Sequence, residues 1–142
     1  MSSREKLGLI GEKIVAHYFG GILSENKFDE EKDMTLPDGS YAEVKTQIRW
    51  NLEHSFTVSS TVTENNIKKC VNVDRLFFVE PGRNKVIRIY ECTDRKYKVK
   101  YPRNKKTYLF DINKMTLVHS FTNEKIWNEM TKLVQTPLKY LV

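Results

Sequence analysis

Several features that define large classes of proteins are scarce in this sequence. Only two cysteines occur, Cys70 and Cys92, without a CxxC pair or a histidine at zinc-finger spacing, so we expect neither a disulfide framework nor a structural zinc site. The longest apolar runs, such as residues 76–79, are far shorter than the ~20 residues that span a bilayer, and the first residues lack the apolar stretch of a signal peptide. The glycines match neither a Walker loop nor a dinucleotide-binding fingerprint. We therefore expect a cytoplasmic protein that does not hydrolyse ATP.

The composition is that of an ordinary folded domain. The chain has 142 residues, of which 39% are apolar and 30% are charged, and this size and balance suit one hydrophobic core. No internal repeat, low-complexity segment or linker divides the sequence. We therefore predict a single domain over residues 1–142.

Charge is distributed unevenly along the chain. Residues 1–44 contain 5 basic and 9 acidic side chains, whereas residues 45–142 contain 19 basic and 9 acidic ones. The densest basic segment, residues 95–106, has seven cations, two tyrosines and no acidic side chain. A polyanion such as DNA is the expected partner of this segment, and a solvated hairpin that carries lysines for solubility is the alternative. The cations predicted to contact DNA are Arg95, Lys96, Lys98, Lys100, Arg103, Lys105 and Lys106.

Hydrophobic spacing and turn signals predict an α/β (α+β) protein with a mixed sheet. A capping box at Ser2 and Glu5 opens a helix over residues 3–19, and Gly20-Gly21 ends its pattern. A hairpin about Pro37-Asp38-Gly39 follows, and then a strand at Phe56 and Val58. Next we predict a short helix over 67–71, capped by Thr63 and Glu64, and a hairpin of strands 75–80 and 85–91. Strands near 97–101 and 107–110 are predicted to continue the sheet, and a helix over 124–134 is the last element.

The first predicted hairpin holds the densest chemistry. Asp33 precedes its turn, and Glu43-Val44-Lys45 follows it. Because strand side chains alternate, Glu43 and Lys45 are expected on one face and Val44 on the other, toward the core. The turn brings Asp33 near the level of Glu43, close enough for both carboxylates to hold one Mg²⁺ ion. The Lys45 side chain would then orient or, as the neutral amine, deprotonate an attacking water, or as the ammonium neutralise charge on a phosphoryl transition state.

The stretch from Asp33 to Lys45 resembles the signature of the PD-(D/E)XK nucleases, in which an aspartate on one strand is followed by an acidic-x-Lys triplet on the next. Its spacing is similar to that of the corresponding hairpin in phage and archaeal Holliday-junction resolvases. The family commonly adds a glutamate on the first helix, which Glu12 matches, and a glutamine two residues after the lysine, which Gln47 matches. By motif the resemblance covers residues 7–47.

This resemblance implies a restriction-endonuclease-like fold, here with an additional basic hairpin, and metal-dependent hydrolysis of DNA. Asp33, Glu43 and the backbone carbonyl of Val44 would hold Mg²⁺ or Mn²⁺. Glu12 would act through a water molecule or a second metal, and Gln47 would position the lysine or the scissile phosphate. A homodimer is implied because cutting two strands needs two sites. The implied catalytic residues are Glu12, Asp33, Glu43, Lys45 and Gln47.

Alternatives remain open at the level of residues and of function. Glu43 and Lys45 are alternatively an ordinary charged strand edge, and Asp38 competes with Asp33 for the metal. Arg49 and Trp50 are expected to contact the DNA backbone and to stack on a base, with packing an equal alternative for Trp50. The substrate choice lies between structure-selective or weakly specific cleavage like that of small resolvases and sequence-specific cleavage of the restriction or homing type. A non-cleaving nucleic-acid-binding subunit is the alternative from another class, and RNA as the substrate stays open.

Overall fold

The computed structural model describes residues 1–25, 32–50, 53–59, 64–134 and 138–142. Within these ranges the helices are α1 (Ser3–Phe19), α2 (Asn65–Asn72) and α3 (Glu124–Lys132). The strands are β1 (Ile22–Leu23), β2 (Met34–Thr35), β3 (Tyr41–Thr46), β4 (Ser55–Ser59), β5 (Arg75–Pro81), β6 (Val86–Cys92), β7 (Lys98–Lys100), β8 (Thr107–Asp111) and β9 (Met115–Thr122).

Six of these strands form the main sheet in the order β1-β2-β3-β5-β6-β9. The central pair β3 and β5 is parallel, and the other neighbours are antiparallel. The predicted mixed sheet with flanking helices is therefore confirmed. Both predicted hairpins are present, as β2–β3 and β5–β6.

The basic segment does not continue the main sheet, and this part of the prediction is wrong. Strands β7 and β8 instead join β4 in a separate three-stranded sheet of order β4-β8-β7. The buried residues of β4 and β8 alternate along each strand, and Phe56 and Phe110 are paired across the two strands. Both rings pack on Phe78 of β5, with centroids 4.7 and 5.8 Å away. The small sheet thus covers a face of the main sheet, and β9, which was not predicted, occupies the main sheet's edge.

Strand β5 explains the layering of the molecule. Its side chains alternate between two apolar clusters: Phe77 and Val79 pack with α1 and α3, whereas Leu76 and Phe78 pack with α2 and the small sheet. A strand buried on both faces is continuously apolar, as residues 76–79 are. The main sheet therefore lies between a layer of two helices and a layer made of the small sheet and α2.

Helix α1 begins and ends where the sequence predicts. The Ser2 hydroxyl accepts a hydrogen bond from the Glu5 backbone N–H (3.2 Å), and Gly20 closes the helix with φ of 72°. The helix approaches β3 at Gly11, where any Cβ would overlap the Thr46 hydroxyl. Only glycine permits this approach, which fixes the next residue, Glu12, relative to β3.

The second helix is also found, at Asn65–Asn72. Of its predicted capping residues, Thr63 lies outside the described part of the chain. Glu64 stands at the N-cap with φ of 55° and makes no side-chain capping bond. Instead its carboxylate accepts hydrogen bonds from Lys106 and Tyr108, at 3.1 and 2.8 Å. This contact links the start of α2 to the small sheet.

Candidate active site

The β2–β3 hairpin turn brings the two acidic residues together. Asp38 Oδ1 accepts hydrogen bonds from the Ser40 N–H (2.9 Å) and hydroxyl (2.6 Å), so Asp38 is a turn residue. Met34 is paired with Ala42, and the Asp33 N–H donates to the Ala42 carbonyl (2.9 Å). This register places Asp33 beside the strand residue that follows Ala42, which is Glu43.

Asp33 is held as a carboxylate by three donors. Its Oδ2 accepts from the Val44 N–H (2.8 Å) and its Oδ1 from Lys69 Nζ (2.9 Å). Burial opposes ionisation, but a hydrogen bond from Glu43, the Lys69 charge and the Val44 N–H together lower the pKa of Asp33. These contacts therefore favour the ionised form of Asp33.

The effects that raise the pKa of Glu43 outweigh those that lower it, in contrast to Asp33. Its side chain is only 2% exposed, and Oε2 lies 3.1 Å from Lys69 Nζ without a hydrogen-bond partner among the described residues. Burial, and then the neighbouring Asp33, raise the pKa of Glu43 well above its usual value. Two carboxyl groups in one buried site resist double ionisation, so the protonated form of Glu43 is favoured by its surroundings.

Glu12 adds a third acidic side chain near the pair. Burial, followed by the charge of Asp33, raises the pKa of Glu12 to about 7. The Lys69 and Lys45 ammonium groups act in the other direction. A carboxyl group with this pKa exchanges its proton near neutral pH.

All five residues of the predicted catalytic set line one pocket of about 600 Å³. They come from the first helix, the incoming strand of the hairpin and β3, so the fold gathers side chains that are up to 35 positions apart in sequence. The predicted alternation along β3 is confirmed, since Val44 belongs to the apolar cluster under α1. The pocket residues of the predicted set are Glu12, Asp33, Glu43, Lys45 and Gln47.

Gln47 has a different partner from the one predicted. Its amide nitrogen donates to Thr57 Oγ1 (2.5 Å), and its amide oxygen accepts from the Thr57 N–H (2.7 Å). The side chain therefore ties the end of β3 to β4 and forms a wall of the pocket. These bonds orient the Gln47 amide, and its predicted role of positioning Lys45 or the scissile phosphate stays a prediction.

Lys69 is the site residue that sequence reasoning missed. It lies on α2, and its Nζ contacts Asp33 Oδ1 and Glu43 Oε2. Burial opposes its charge, but Glu43 and Asp33 raise the pKa of Lys69 above its usual value. No local pattern marks this lysine, because it is 36 positions from Asp33 and stands beside an exposed lysine, Lys68.

Arg49 is wrongly predicted as a DNA contact. Its guanidinium is buried and makes two 2.8 Å hydrogen bonds to the carboxylate of Glu80 and one to the Glu53 carbonyl. These bonds use the donors that a phosphate would need. Trp50 packs against the cluster under α1 and forms a β-bridge with Leu141, which is the packing role left open for it.

Arg95, another predicted DNA contact, is partly buried and makes several hydrogen bonds within the fold. Its guanidinium donates to the carbonyls of Cys70 and Val73, both at 2.8 Å, and of Asp74 at 3.2 Å. The last carbonyls of a helix need such donors. Arg95 therefore caps the C-terminus of α2, the helix that carries Lys69.

The remaining predicted cations lie on the surface of the small sheet. Lys106 pairs with Glu64 at 3.1 Å and is half-buried. Two tyrosines accompany the exposed cations, with Tyr97 41% and Tyr101 67% exposed. The exposed cations of the segment are Lys96, Lys98, Lys100, Arg103 and Lys105.

The acidic site suits a cation that accepts few protein ligands. In the described ranges, no three or more His, Cys, Asp or Glu side chains are arranged to hold a metal ion. Mg²⁺ is commonly held by one or two carboxylates together with waters and substrate phosphate. Glu43 Oε2 and Asp33 Oδ1, both in contact with Lys69 Nζ, are two such oxygens, and Val44 also lines the pocket.

Comparison with known proteins adds no assignment. No family model matches the chain, and no curated protein matches it.

Of the helices in the described ranges, none combines the length and apolar character needed to cross a membrane.

Proposed function

We propose that this protein is a metal-dependent endonuclease that hydrolyses phosphodiester bonds of DNA, with a restriction-endonuclease-like fold of the PD-(D/E)XK type. The observation that carries this proposal is the convergence of Glu12, Asp33, Glu43 and Lys45 on one pocket. Burying two carboxyl groups beside a lysine lowers the free energy of unfolding. The same three side chains suit the hydrolysis of a phosphodiester bond.

Asp33 and Glu43 would hold Mg²⁺ or Mn²⁺, with the Val44 carbonyl as a third protein ligand. Two observations support this fit: Glu43 Oε2 is buried without a hydrogen-bond partner among the described residues, and burial beside Asp33 raises the pKa of Glu43, an effect that a bound dication would oppose. When bound, the metal supplies Lewis acidity toward a phosphate oxygen and a nucleophilic water at neutral pH.

Lys45 and Glu12 would carry out the remaining steps of the hydrolysis. The Lys45 ammonium orients the attacking water and offsets negative charge that develops at the phosphate. The Glu12 carboxyl group, with a pKa of about 7, holds or releases a proton at its side-chain oxygen near physiological pH. The expected products carry 5′-phosphate and 3′-hydroxyl ends.

The small sheet supports DNA as the partner. Ser59 of β4 lines the pocket and is paired with Thr107, which is in turn paired with Lys100. Two strand spacings amount to about 10 Å, so the basic hairpin starts beside the pocket's rim. Its exposed cations would neutralise backbone phosphates, and Tyr97 and Tyr101 would stack on unpaired bases.

The proposed substrate is a branched or weakly specific DNA duplex, and the proposed active form is a homodimer with one site for each strand. Because a chain of 142 residues has little room for a separate recognition domain, the basic hairpin would recognise the DNA. Sequence-specific cleavage uses the same chemistry, and a substrate panel separates the two possibilities.

The test is incubation of the purified protein with Mg²⁺ or with EDTA on supercoiled plasmid, a four-way junction, linear duplex, single-stranded DNA and RNA. We expect cleavage only with Mg²⁺, with preference for the junction, and none by Glu43→Ala. Binding without cleavage of any substrate would contradict the enzyme and favour a non-cleaving nucleic-acid-binding subunit. Preference for RNA would overturn the substrate assignment alone.

A further inference from the structure

The position of Lys69 between the two carboxyl groups has a consequence for cation binding. Its Nζ is 2.9 Å from Asp33 Oδ1 and 3.1 Å from Glu43 Oε2, and its side chain is 12% exposed. Asp33 Oδ2 already accepts from the Val44 N–H. The ammonium therefore contacts the Asp33 oxygen that does not accept from Val44, and the Glu43 oxygen that has no hydrogen-bond partner among the described residues.

A dication held by these carboxylates would compete with the ammonium for the same two oxygens. Like charges at such distances repel strongly in a partly buried site. The long, flexible lysine stem allows the ammonium to move while α2 stays in place. Arg95 donates to the Cys70 carbonyl in the last turn of that helix and to the Val73 and Asp74 carbonyls that follow it, so the expected movement is in the side chain.

We propose that Lys69 is a built-in counter-ion that occupies the cation site of the metal-free protein, and that divalent metal binding displaces it. This inference rests on the proposed function, because it takes Asp33 and Glu43 as metal ligands. It adds a role for a residue outside the predicted catalytic set. Lys69 stabilises the acidic pair when no metal is bound, and by the same contacts it weakens metal binding.

The direct test measures Mn²⁺ binding by calorimetry or electron paramagnetic resonance in the absence of DNA. We expect Lys69→Gln to bind Mn²⁺ roughly tenfold more tightly than the wild type, because the metal no longer displaces a fixed ammonium. Lys69→Arg keeps the charge and should bind no more tightly than the wild type. Lys68→Gln is the matched control, since it removes an exposed lysine from the same helix, and its affinity should stay within about twofold of the wild type.

A second measurement uses the wild-type protein alone, so it stands even if Lys69→Gln does not fold. Acetylation of lysines by a hydroxysuccinimide ester, followed by peptide mass spectrometry, reports the access to each amine. We expect saturating Mn²⁺ to raise the acetylation rate of Lys69 severalfold and to leave Lys68 unchanged. An unchanged or reduced rate at Lys69 would overturn the proposal.

The outcomes also separate this inference from the proposed function. If the wild type binds Mn²⁺ and Asp33→Asn does not, the cation site stands; equal or weaker binding by folded Lys69→Gln then overturns only the role of Lys69. If neither the wild type nor any Lys69 variant binds Mn²⁺, the metal site and the role of Lys69 both fail.

Discussion

Two buried charge clusters on neighbouring strands differ in how completely their charges are paired. Glu43 on β3 and Glu80 on β5 are similarly inaccessible, 2% and 1% exposed. Glu80 receives both 2.8 Å bonds of a bidentate arginine, Arg49, and a 3.3 Å bond from Arg88. Glu43 shares one lysine with a second carboxylate, and one of its oxygens has no hydrogen bond from the described residues.

We interpret the difference as one between a cluster that maintains the fold and a cluster that the proposed function assigns to metal binding. A buried carboxylate with all its partners is compatible with a purely structural role. A pair of carboxyl groups that competes for one cation destabilises the metal-free fold, and it is retained where chemistry requires it. The Arg49–Glu80 cluster therefore belongs to stability, and the Asp33–Glu43–Lys69 cluster to the proposed activity.

The largest stability effect is expected at the paired cluster. Arg49→Ala leaves Glu80 buried with only Arg88 as a partner in the described part of the chain, and breaking a buried pair costs about 3–5 kcal/mol. Urea denaturation measures the free energy of unfolding. Arg4→Ala removes an exposed arginine and serves as the control. A loss below about 1 kcal/mol for Arg49→Ala would mean that the cluster does not hold the fold.

An intermediate effect is expected where α1 meets β3. Gly11→Ala forces a Cβ against Thr46, and such overpacking typically costs about 1–3 kcal/mol. At Gly8, one turn earlier, none of the described residues has an atom within 4 Å of an added Cβ, so Gly8→Ala should be neutral or slightly stabilising. Thermal unfolding of the two variants compares them directly. Equal stability would contradict the close approach that places Glu12 at the pocket.

The stability of the Asp33–Glu43–Lys69 cluster should respond to loss of a charge in the opposite way to that of Arg49–Glu80. Glu43→Gln preserves the volume and removes one of two competing carboxyl groups. We expect the free energy of unfolding without metal to change by less than about 1 kcal/mol, or to rise. The same variant should lose any stabilisation by Mn²⁺ that the wild type shows. A large destabilisation in metal-free buffer would make Glu43 a structural residue like Glu80.

The exposed cations of the small sheet should leave stability unchanged and affect only binding. Replacing Lys98, Lys100 and Lys105 together by glutamine should weaken DNA binding and reduce its salt slope by up to about three phosphate equivalents. A variant with Lys114, Lys125 and Lys132 replaced, all exposed outside the hairpin, controls for net charge. Equal salt slopes for the two triple variants would remove the hairpin from the DNA interface.

Local signals in the sequence predict the first helix, both main hairpins and the acidic hairpin pair. Pro37-Asp38-Gly39 and the capping residues of α1 determine the structure of residues only a few positions away, so the sequence alone is enough to recognise them. The pairing of β7 and β8 with β4 depends on packing Phe56 and Phe110 on Phe78, which is a tertiary contact. Local spacing carries no information about it.

The same limit explains the errors at the site. Lys69, Arg49 and Arg95 carry ordinary positive charges in sequence, and only the fold determines that one meets two carboxylates, one meets Glu80 and one caps α2. A basic side chain is therefore ambiguous between phosphate binding and internal pairing until its neighbours are known. The acidic hairpin was predictable because its members are joined by one short turn.

The most direct test of the central claim is the cleavage rate of Lys45→Ala on the substrate that the wild type cuts best, measured with Mg²⁺ beside the exposed control Lys13→Ala. Lys45 lines the pocket, and the account predicts that its loss abolishes cleavage while DNA affinity and the circular dichroism spectrum stay close to those of the wild type. Cleavage at the wild-type rate, or loss of folding in place of activity, would contradict the assignment of this pocket as a nuclease active site.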